Sequence, residues 1–318
     1  MILIFISLIV AAAPQPKEKE VDLMKDGGLE YFIKDIGKSG LGIFGDYKRL
    51  MEAVKKYDLY IQKHIPNEKL ILRENSINGK YQIKIEIGSE AKYVNDIWKA
   101  AKSGALNHPN ITRVFASHNE VYGHKDRDEQ VVVSMVCMEL PQLYVTEEHI
   151  NQDESRLRNM VRDILLGMEM IHDSGIVINN IALENVVGSI DLAGRKTYKL
   201  FGFDGAVDIC TNKSVIHPDS QSVKYHDEDS RNNLLSQARD IYDLGIMIYW
   251  IMRRSDETFN QSVIRQIGQI SYVFKESITE ECKDFIVQAT SYSKAGRAGL
   301  EELLSHPFIT GKPMRQQE

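Results

Sequence analysis

The sequence predicts an α+β fold in two parts, a small strand-rich part followed by a larger helical part. In the first part, LILREN and KYQIKIEI alternate like strands on either side of a turn, in which Asn78 and Gly79 favour a tight hairpin. The apolar run VVVSMVCMEL at residues 131–140 predicts a further, buried strand. After Pro141 the chain becomes mainly helical.

Two helices define the second part. An apolar stripe recurs at helical spacing and predicts one face of a long helix. Its members are Leu157, Met160, Val161, Ile164, Leu165, Met168 and Ile171. The segment DIYDLGIMIYWIM at residues 240–252 is apolar nearly all round, which predicts a helix buried at the centre of this part.

Composition allows a sizeable core and argues against several kinds of site. With 318 residues, 43% of them hydrophobic, the chain suits one two-lobed domain or two packed ones. A formal net charge of -6 gives no basic field for a polyphosphate backbone, so no nucleic-acid partner is expected. Cys137, Cys210 and Cys282 lie far apart, which leaves neither a disulfide framework nor zinc-ligand spacing.

The N-terminus resembles a secretory signal peptide. Residues 1–13 form an apolar run that ends in small residues and is too short to cross a bilayer of about 30 Å. We expect cleavage near Ala13, export of the chain and no transmembrane span; a buried strand is the alternative, because the run lacks a positively charged start. Residues 14–56 follow as a charged, partly helical leader. Acceptor patterns for N-glycosylation, relevant only after export, begin at Asn110, Asn212 and Asn260.

From residue 57 to residue 310 the chain resembles the eukaryotic protein kinase family, through several landmarks in the family's order. YQIK, which ends at Lys84, is similar to the strand that carries the nucleotide-binding lysine. HPNI follows the first helix as in kinases, and VCMEL resembles the hinge strand, with Met138 as gatekeeper and Glu139 beginning the hinge. The resemblance implies a kinase-like fold with a small β-rich N-lobe (57–140), a larger α-helical C-lobe (141–310) and a tail (311–318).

Three charged residues match structural positions of the family. Asp240 in RDIYDLG matches the aspartate that opens the buried lobe helix, and counting back from it places Glu228 at the APE glutamate. GRAGLEELLSHPFI resembles the family's closing segment, with Arg297 as its structural arginine. The resemblance implies a buried ion pair between Glu228 and Arg297, a structural role that says nothing about catalysis.

The segment GIVINNIALENVV resembles the family's catalytic loop, HRDLKxxN, with most of the reactive residues replaced. In this alignment Ile178 stands for the histidine, Asn179 for the arginine, Asn180 for the catalytic aspartate and Ala182 for the lysine. Asn185, the metal-binding asparagine, is retained. A neutral amide at Asn180 cannot accept the proton of a substrate hydroxyl, so this change alone predicts a crippled enzyme.

The predicted metal site is also altered. In YKLFGFDGA, the match of Phe203 to the phenylalanine of DFG puts Gly202 on the motif's aspartate and Asp204 on its glycine. Glycine offers magnesium no side-chain oxygen, so the ion loses its main protein ligand. A slipped alignment, in which Asp204 binds the metal instead, is the alternative.

Two further parts of the phosphate site differ from the family. The segment QKHIPNEKL, where the family has its glycine-rich loop, contains no glycine, so the backbone lacks its open approach to phosphates. GLGIFG at residues 40–45, with Lys63 downstream, fits the glycine pattern but would leave the hairpin ending at Lys84 unexplained. Lys99 stands where the family glutamate pairs with the strand lysine, and Asp96, one turn earlier, is an alternative partner.

These changes together predict a pseudokinase that binds another protein, such as an active kinase, as a scaffold or allosteric partner. Lys84, Met138, Glu139 and Asn185 then form a vestigial nucleotide pocket, in which binding of ATP and Mg²⁺ is weak or absent. An ordinary surface position is the alternative for Lys84. The rival functions are a divergent kinase or nucleotidyl transferase that uses Lys84, Asn185 and Asp204, and a regulator that binds ATP without turning it over.

Overall fold

The structure of the chain is a computed structural model with a sheet-based N-terminal lobe and a helical C-terminal lobe, which confirms the predicted two-part α+β fold. The structure describes residues 23–24, 30, 32, 47–65, 69–75, 79–87, 106–123, 130–150, 153–201, 203, 206–209, 236–253, 272 and 274–312. The predicted signal peptide, residues 1–13, lies outside these ranges. Among the helices within them, none has the length and apolar character that crossing a bilayer requires.

The strand-rich lobe comes first and the mainly helical lobe second, as the sequence predicts. Those of the N-terminal lobe are α1 (Tyr47–Lys56), β1 (Leu59–Ile65), β2 (Lys69–Glu74), β3 (Tyr81–Ile87), β4 (Val114–Gly123) and β5 (Gln130–Glu139). The strands of the C-terminal lobe are β6 (Leu143–Tyr144), β7 (Ile176–Val177), β8 (Val186–Ile190), β9 (Lys196–Leu200) and β10 (Val207–Asp208). Its helices are α2 (Glu147–Ile150), α3 (Glu154–Asp173), α4 (Gln237–Met252), α5 (Glu280–Ala289), α6 (Leu300–Ser305) and α7 (Pro307–Thr310), with 3-10 turns at Leu183–Asn185 and Lys294–Gly296.

The N-terminal sheet is antiparallel with the strand order β1-β2-β3-β5-β4, and one of its faces packs against α1. Leu70, Leu72, Ile83 and Ile85 lie on this face because alternate residues of a strand share a side. They join a buried cluster with residues of the leader: Leu23, Phe32, Leu50, Ala53 and Val54. The described part of residues 14–56 therefore shares one hydrophobic core with the sheet.

The opposite face of the sheet lies against the C-terminal lobe. Gln82 is paired with Met138, and Lys84 with Val136, so these four side chains share a face. Met138 and Val136 belong to the same buried cluster as the helices of the C-terminal lobe. Lys84 is thereby directed into the space between the two lobes.

Helices α3 and α4 form the centre of the C-terminal lobe, as their apolar patterns predict. Every member of the predicted stripe on α3 is buried, and almost every residue of α4 is buried too. Asp153 caps α3, because its Oδ1 accepts hydrogen bonds from the backbone nitrogens of Ser155 (2.8 Å) and Arg156 (3.2 Å). Gly245 lets α4 approach α5 closely, since a Cβ there would lie 2.5 Å from the Thr290 Cγ2.

The HPNI segment joins the lobes through backbone hydrogen bonds to β9. Thr112 N donates to Leu200 O (2.9 Å), and Leu200 N donates to Asn110 O (2.9 Å). The Asn110 side chain is 4% exposed and donates to Tyr198 O (2.9 Å), so the folded chain does not present it for glycosylation. Asn212 and Asn260 lie outside the described residues.

Burial shifts the pKa values of two side chains beside this junction. Desolvation raises the pKa of Asp163, although a hydrogen bond from Tyr198 N at 2.9 Å opposes the shift. Desolvation also lowers the pKa of His108, against the attraction of Glu169 and Asp163. Both shifts favour the neutral form, which is the expected response of groups removed from water.

Arg297 is buried at the base of the C-terminal lobe, where it binds backbone carbonyls. Its guanidinium donates to the carbonyl oxygens of Ala238 (2.6 Å), Ser291 (3.0 Å) and Tyr292 (3.1 Å). It also lies over the Tyr242 ring, 4.9 Å from the centroid. Glu228 lies outside the described residues, so its ion pair with Arg297 stays a prediction.

Candidate functional site

The candidate site is built around a loop, residues 178–185, whose backbone is held by the Asp240 carboxylate. Asp240 lies in the first turn of α4 and is fully buried. Its Oδ2 accepts from Ile178 N (2.8 Å), and its Oδ1 accepts from Asn179 N (2.7 Å). His172 completes the group, with its Nε2 2.8 Å from Oδ2. A buried carboxylate with three hydrogen-bonding partners fixes the loop firmly to the helix.

The loop turns sharply at Asn179, which has a φ of 58°. This value lies in the left-handed region, which asparagine tolerates better than most residues because its short polar side chain can hydrogen-bond locally. Asn179 is fully buried. The residue at the position of the family's loop arginine therefore supports the turn, and it does not extend into solvent.

Asn180 is the residue that the alignment sets at the position of the catalytic base. Its backbone oxygen accepts a hydrogen bond from the Asn185 Nδ2 at 3.1 Å, which closes the loop. Its own side-chain Oδ1 is buried and makes no hydrogen bond to any residue that the structure describes. An amide oxygen in this position can accept a hydrogen bond but cannot take up a proton at ordinary pH.

The retained Asn185 connects the loop to the strand before the predicted metal site. It ends a 3-10 turn, and its carbonyl oxygen accepts from Phe201 N at 2.9 Å. Phe203 is fully buried in the core of the C-terminal lobe. Gly202 and Asp204, on either side of it, lie outside the described residues.

Among the described residues, few side chains of the site could bind a magnesium–triphosphate group. Within the described ranges, no group of three or more histidine, cysteine, aspartate or glutamate side chains is arranged to hold a metal ion. The base position carries the Asn180 amide, and the sequence has glycine at position 202, where the metal-binding carboxylate is expected. Asn185 offers a side-chain oxygen at a matching position, while Gly202 and Asp204 lie outside the described residues.

Lys84 lies in the middle of β3, the strand that the sequence YQIK predicts. It lies opposite Ile71 on β2 and Val136 on β5 and is only 8% exposed. The alternative of an ordinary surface lysine is therefore wrong. Lys99 and Asp96, the two residues considered as its neighbours, lie outside the described residues.

The hinge residues are occupied by contacts within the chain. Met138 is fully buried between the sheet and the C-terminal lobe. The Glu139 carboxylate accepts from the Lys199 Nζ at 2.7 Å and from Arg113 N at 3.2 Å. The Glu139–Lys199 ion pair is partly buried and ties the start of the hinge to β9.

One feature of the site that the sequence interpretation missed is Gln82. It stands two residues before Lys84, where the kinase motif V-A-I-K has alanine, and its side chain is 1% exposed. Its Oε1 is buried without a hydrogen bond to any residue in the described ranges. The difference is visible in the sequence YQIK, where the amide side chain of Gln82 stands in place of the methyl group of the motif's alanine. Gln82 lies on the face of the sheet that meets the C-terminal lobe.

A cavity of about 490 Å³ lies beside the loop in the C-terminal lobe. Acidic, aromatic and apolar side chains line it together. They include Glu147, Asn180, Ala182, Glu184, Met247 and Trp250. The Trp250 Nε1 donates to the Glu147 Oε1 at 3.0 Å, which fixes both side chains on the cavity wall. Ala182, which replaces the loop lysine, adds a methyl group and no charge.

Comparison with known proteins gives matches that all name protein kinases or their catalytic domain. Residues 50–309 match the protein kinase domain family. Serine/threonine-protein kinase PLK4 of Xenopus laevis is 25% identical over 167 residues, which are 50% of this chain and 17% of that protein. Mitogen-activated protein kinase kinase kinase 17 of Arabidopsis thaliana is 29% identical over 171 residues, 51% of this chain and 44% of that protein.

Among solved structures, the autoinhibited serine kinase domain of the giant muscle protein titin is similar, with a TM-score of 0.59. The two chains are 19% identical, and the match covers 80% of each. At this identity the similarity establishes the two-lobed fold. The chain spans 17% and 44% of the lengths of the two curated relatives named above.

We predict that Asp240→Asn weakens the fold by roughly 3 kcal/mol, because an amide NH₂ would replace one acceptor oxygen and face a hydrogen-bond donor. The measurement is the free energy of unfolding from chemical denaturation. Asp191→Asn is the matched control, since Asp191 is exposed and accepts from the Arg195 Nε at 2.7 Å. Equal denaturation midpoints for the two variants would contradict the anchoring role of Asp240.

Proposed function

Because the chain belongs to the protein kinase domain family, we propose that it is a pseudokinase, a kinase-shaped protein that acts by binding another protein. The observation that carries this proposal is Asn180. The alignment with the family puts it at the position of the catalytic base, in a loop whose backbone Asp240 holds in a defined conformation. The loop is thus ordered by its backbone contacts, while the alignment gives it an amide, at Asn180, in place of the aspartate that accepts a proton.

The phosphate-binding half of the cleft supports the same proposal. Strand β1 ends at Ile65 and β2 begins at Lys69, and they pair as the hairpin that precedes Lys84 in chain order. This hairpin occupies the place of the family's phosphate cover, and its sequence QKHIPNEKL has no glycine. The rival GLGIFG at residues 40–45 lies outside the described residues and precedes α1.

The cavity beside the loop supports binding of a protein segment. Its wall combines carboxylates at Glu147 and Glu184 with the apolar side chains of Ile246, Met247 and Ile251. A mixture of apolar surface with a few placed polar groups is typical of a binding site. The bound protein, such as an active kinase, would then be controlled through contact, since the Asn180 amide cannot serve as the base that modifies it.

The proposed place of action is outside the cytosol. The motivation is the apolar run at residues 1–13, which resembles a signal peptide and ends in Ala11, Ala12 and Ala13. The charged leader that follows would then form the start of the mature chain.

A divergent transferase is the second candidate, and the burial of Lys84 favours it. A lysine in the space between the lobes can contact a bound phosphate, and Asn185 is retained. This enzyme would need Asp204 as its metal ligand. The transferase therefore depends on a slipped alignment around Phe203, whereas the pseudokinase does not.

Replacing Asn180 with aspartate tests whether the missing base is the only defect that prevents phosphate transfer. We predict that Asn180→Asp does not recover the roughly 10²–10⁴-fold rate that a missing base costs. Gly202 still offers magnesium no carboxylate. Because both defects act on the same transition state, correcting one of them should restore little activity while the other remains. The measurement is transfer of labelled phosphate from ATP to a generic protein substrate, for the wild type, Asn180→Asp and Asn180→Asp/Gly202→Asp. Metal-dependent transfer by the wild type or by the single variant would contradict the proposal and favour Asp204.

Protein binding is tested by using the chain as bait. We predict that a bound protein captured by the wild type is lost with Glu184→Lys, because this change reverses a charge on the cavity wall. Glu301→Lys, which reverses an exposed charge on α6, is the matched control and should leave capture unchanged. Equal recovery with both variants, quantified by mass spectrometry, would mean that the cavity is not the binding surface.

A further inference from the structure

A chain of three side chains crosses the cleft between the lobes. The Arg73 Nη2, on β2, donates a hydrogen bond to the Tyr144 hydroxyl, on β6. The Arg73 Cζ also lies 5.2 Å from the centroid of the Tyr144 ring. Tyr144 in turn meets Phe201 edge to face, with 6.4 Å between ring centroids and an interplanar angle of 83°. Both geometries are attractive, the first as a cation–π contact and the second as an aromatic pair.

The two ends of this chain belong to different lobes. Arg73 pairs with Tyr60 and Gln82 inside the five-stranded sheet of the N-terminal lobe. Tyr144 pairs with Val187 on β8, and Phe201 packs against the core of the C-terminal lobe. Movement of one lobe relative to the other would therefore have to break the contact between Arg73 and Tyr144.

Arg73 lies on the side of the sheet that faces the cleft. Its strand partner is Gln82, whose partner is Met138, and residues directly opposite one another share a face. Met138 is packed into the core of the C-terminal lobe. The row Arg73, Gln82 and Met138 thus lies on the face of the sheet that meets the cleft, and from it the Arg73 side chain reaches Tyr144 on β6.

The far end of the chain reaches the loop at the candidate site. Phe201 N donates to Asn185 O at 2.9 Å, and the Asn185 Nδ2 donates to Asn180 O at 3.1 Å. The position of the N-terminal sheet is therefore linked through Tyr144 and Phe201 to the loop that Asp240 anchors. A continuous series of contacts therefore connects the N-terminal sheet with the loop.

We propose that Arg73, Tyr144 and Phe201 form a latch that holds the two lobes in a fixed relative orientation. The latch lies in the cleft and is made by the chain's own side chains, so the orientation needs no bound ligand. A ligand that entered over β6 would have to displace the Arg73 guanidinium. A surface formed by both lobes is then preorganised, which lowers the entropy cost of binding a large partner. The latch concerns the chain by itself and does not depend on the identity of any partner.

The test is a distance measurement between the lobes by electron spin resonance. Spin labels are placed at Met51→Cys on α1 and Val287→Cys on α5, which are 41% and 45% exposed, in a chain with Cys210→Ser. Cys137 and Cys282 are buried, and burial raises the pKa of Cys282 to about 12, so these two thiols react slowly with the label. We expect a single narrow distance distribution for the otherwise unchanged chain.

Arg73→Gln removes the charge and the stack, and the distribution should broaden toward longer distances. Tyr144→Leu removes the same contact from the other lobe and should give the same result, which covers the case in which one variant does not fold. Arg113→Gln is the matched control, because Arg113 stacks on Phe115 at 5.3 Å without reaching Tyr144. An unchanged distribution in a folded latch variant, or equal broadening in the control, would overturn the latch.

Discussion

The contact between the Asp240 carboxylate and the backbone of residues 178 and 179 is the interaction on which the candidate site depends. One buried side chain on α4 satisfies two loop nitrogens at 2.8 and 2.7 Å, and His172 adds a third partner. Removing such an acceptor would leave buried donors unpaired, which is expensive. The loop is therefore fixed to α4 through its backbone, and the Asn185 side chain adds a further contact.

This kind of anchoring acts through the backbone of the loop and not through its catalytic-position side chains. Asp240 binds backbone nitrogens, which every residue except proline supplies. The loop can then change the side chains of Asn180 and Ala182 without losing its conformation. The same holds for the sheet, where the ladder positions Lys84 through backbone pairing with β2 and β5. Backbone atoms hold the loop and the strand in place, whereas catalysis in the family depends on side chains. A change of the loop's side chains can therefore leave the fold intact.

Much of the fold could be predicted because it follows from periodic apolar patterns. The stripe on α3, the buried helix α4 and the strand that carries Lys84 were all visible in the order of the residues. Contacts between distant side chains were not, since nothing in the letters LILREN indicates that Arg73 reaches Tyr144. The packing of Leu50 and Phe32 against the sheet was missed for a related reason: the charged residues of the leader masked its few apolar positions.

The most direct test of the central claim, that the cleft does not hold ATP with its metal ion and so cannot transfer phosphate, is a thermal-shift titration with ATP and either magnesium or manganese. Ligand at 1,000 times its dissociation constant stabilises a folded protein by about 4 kcal/mol, which is a large and easily detected shift. Our account predicts no shift at millimolar nucleotide with either metal. A metal-dependent rise in melting temperature that saturates with ATP would contradict it, because the cleft would then still hold the nucleotide and its metal ion.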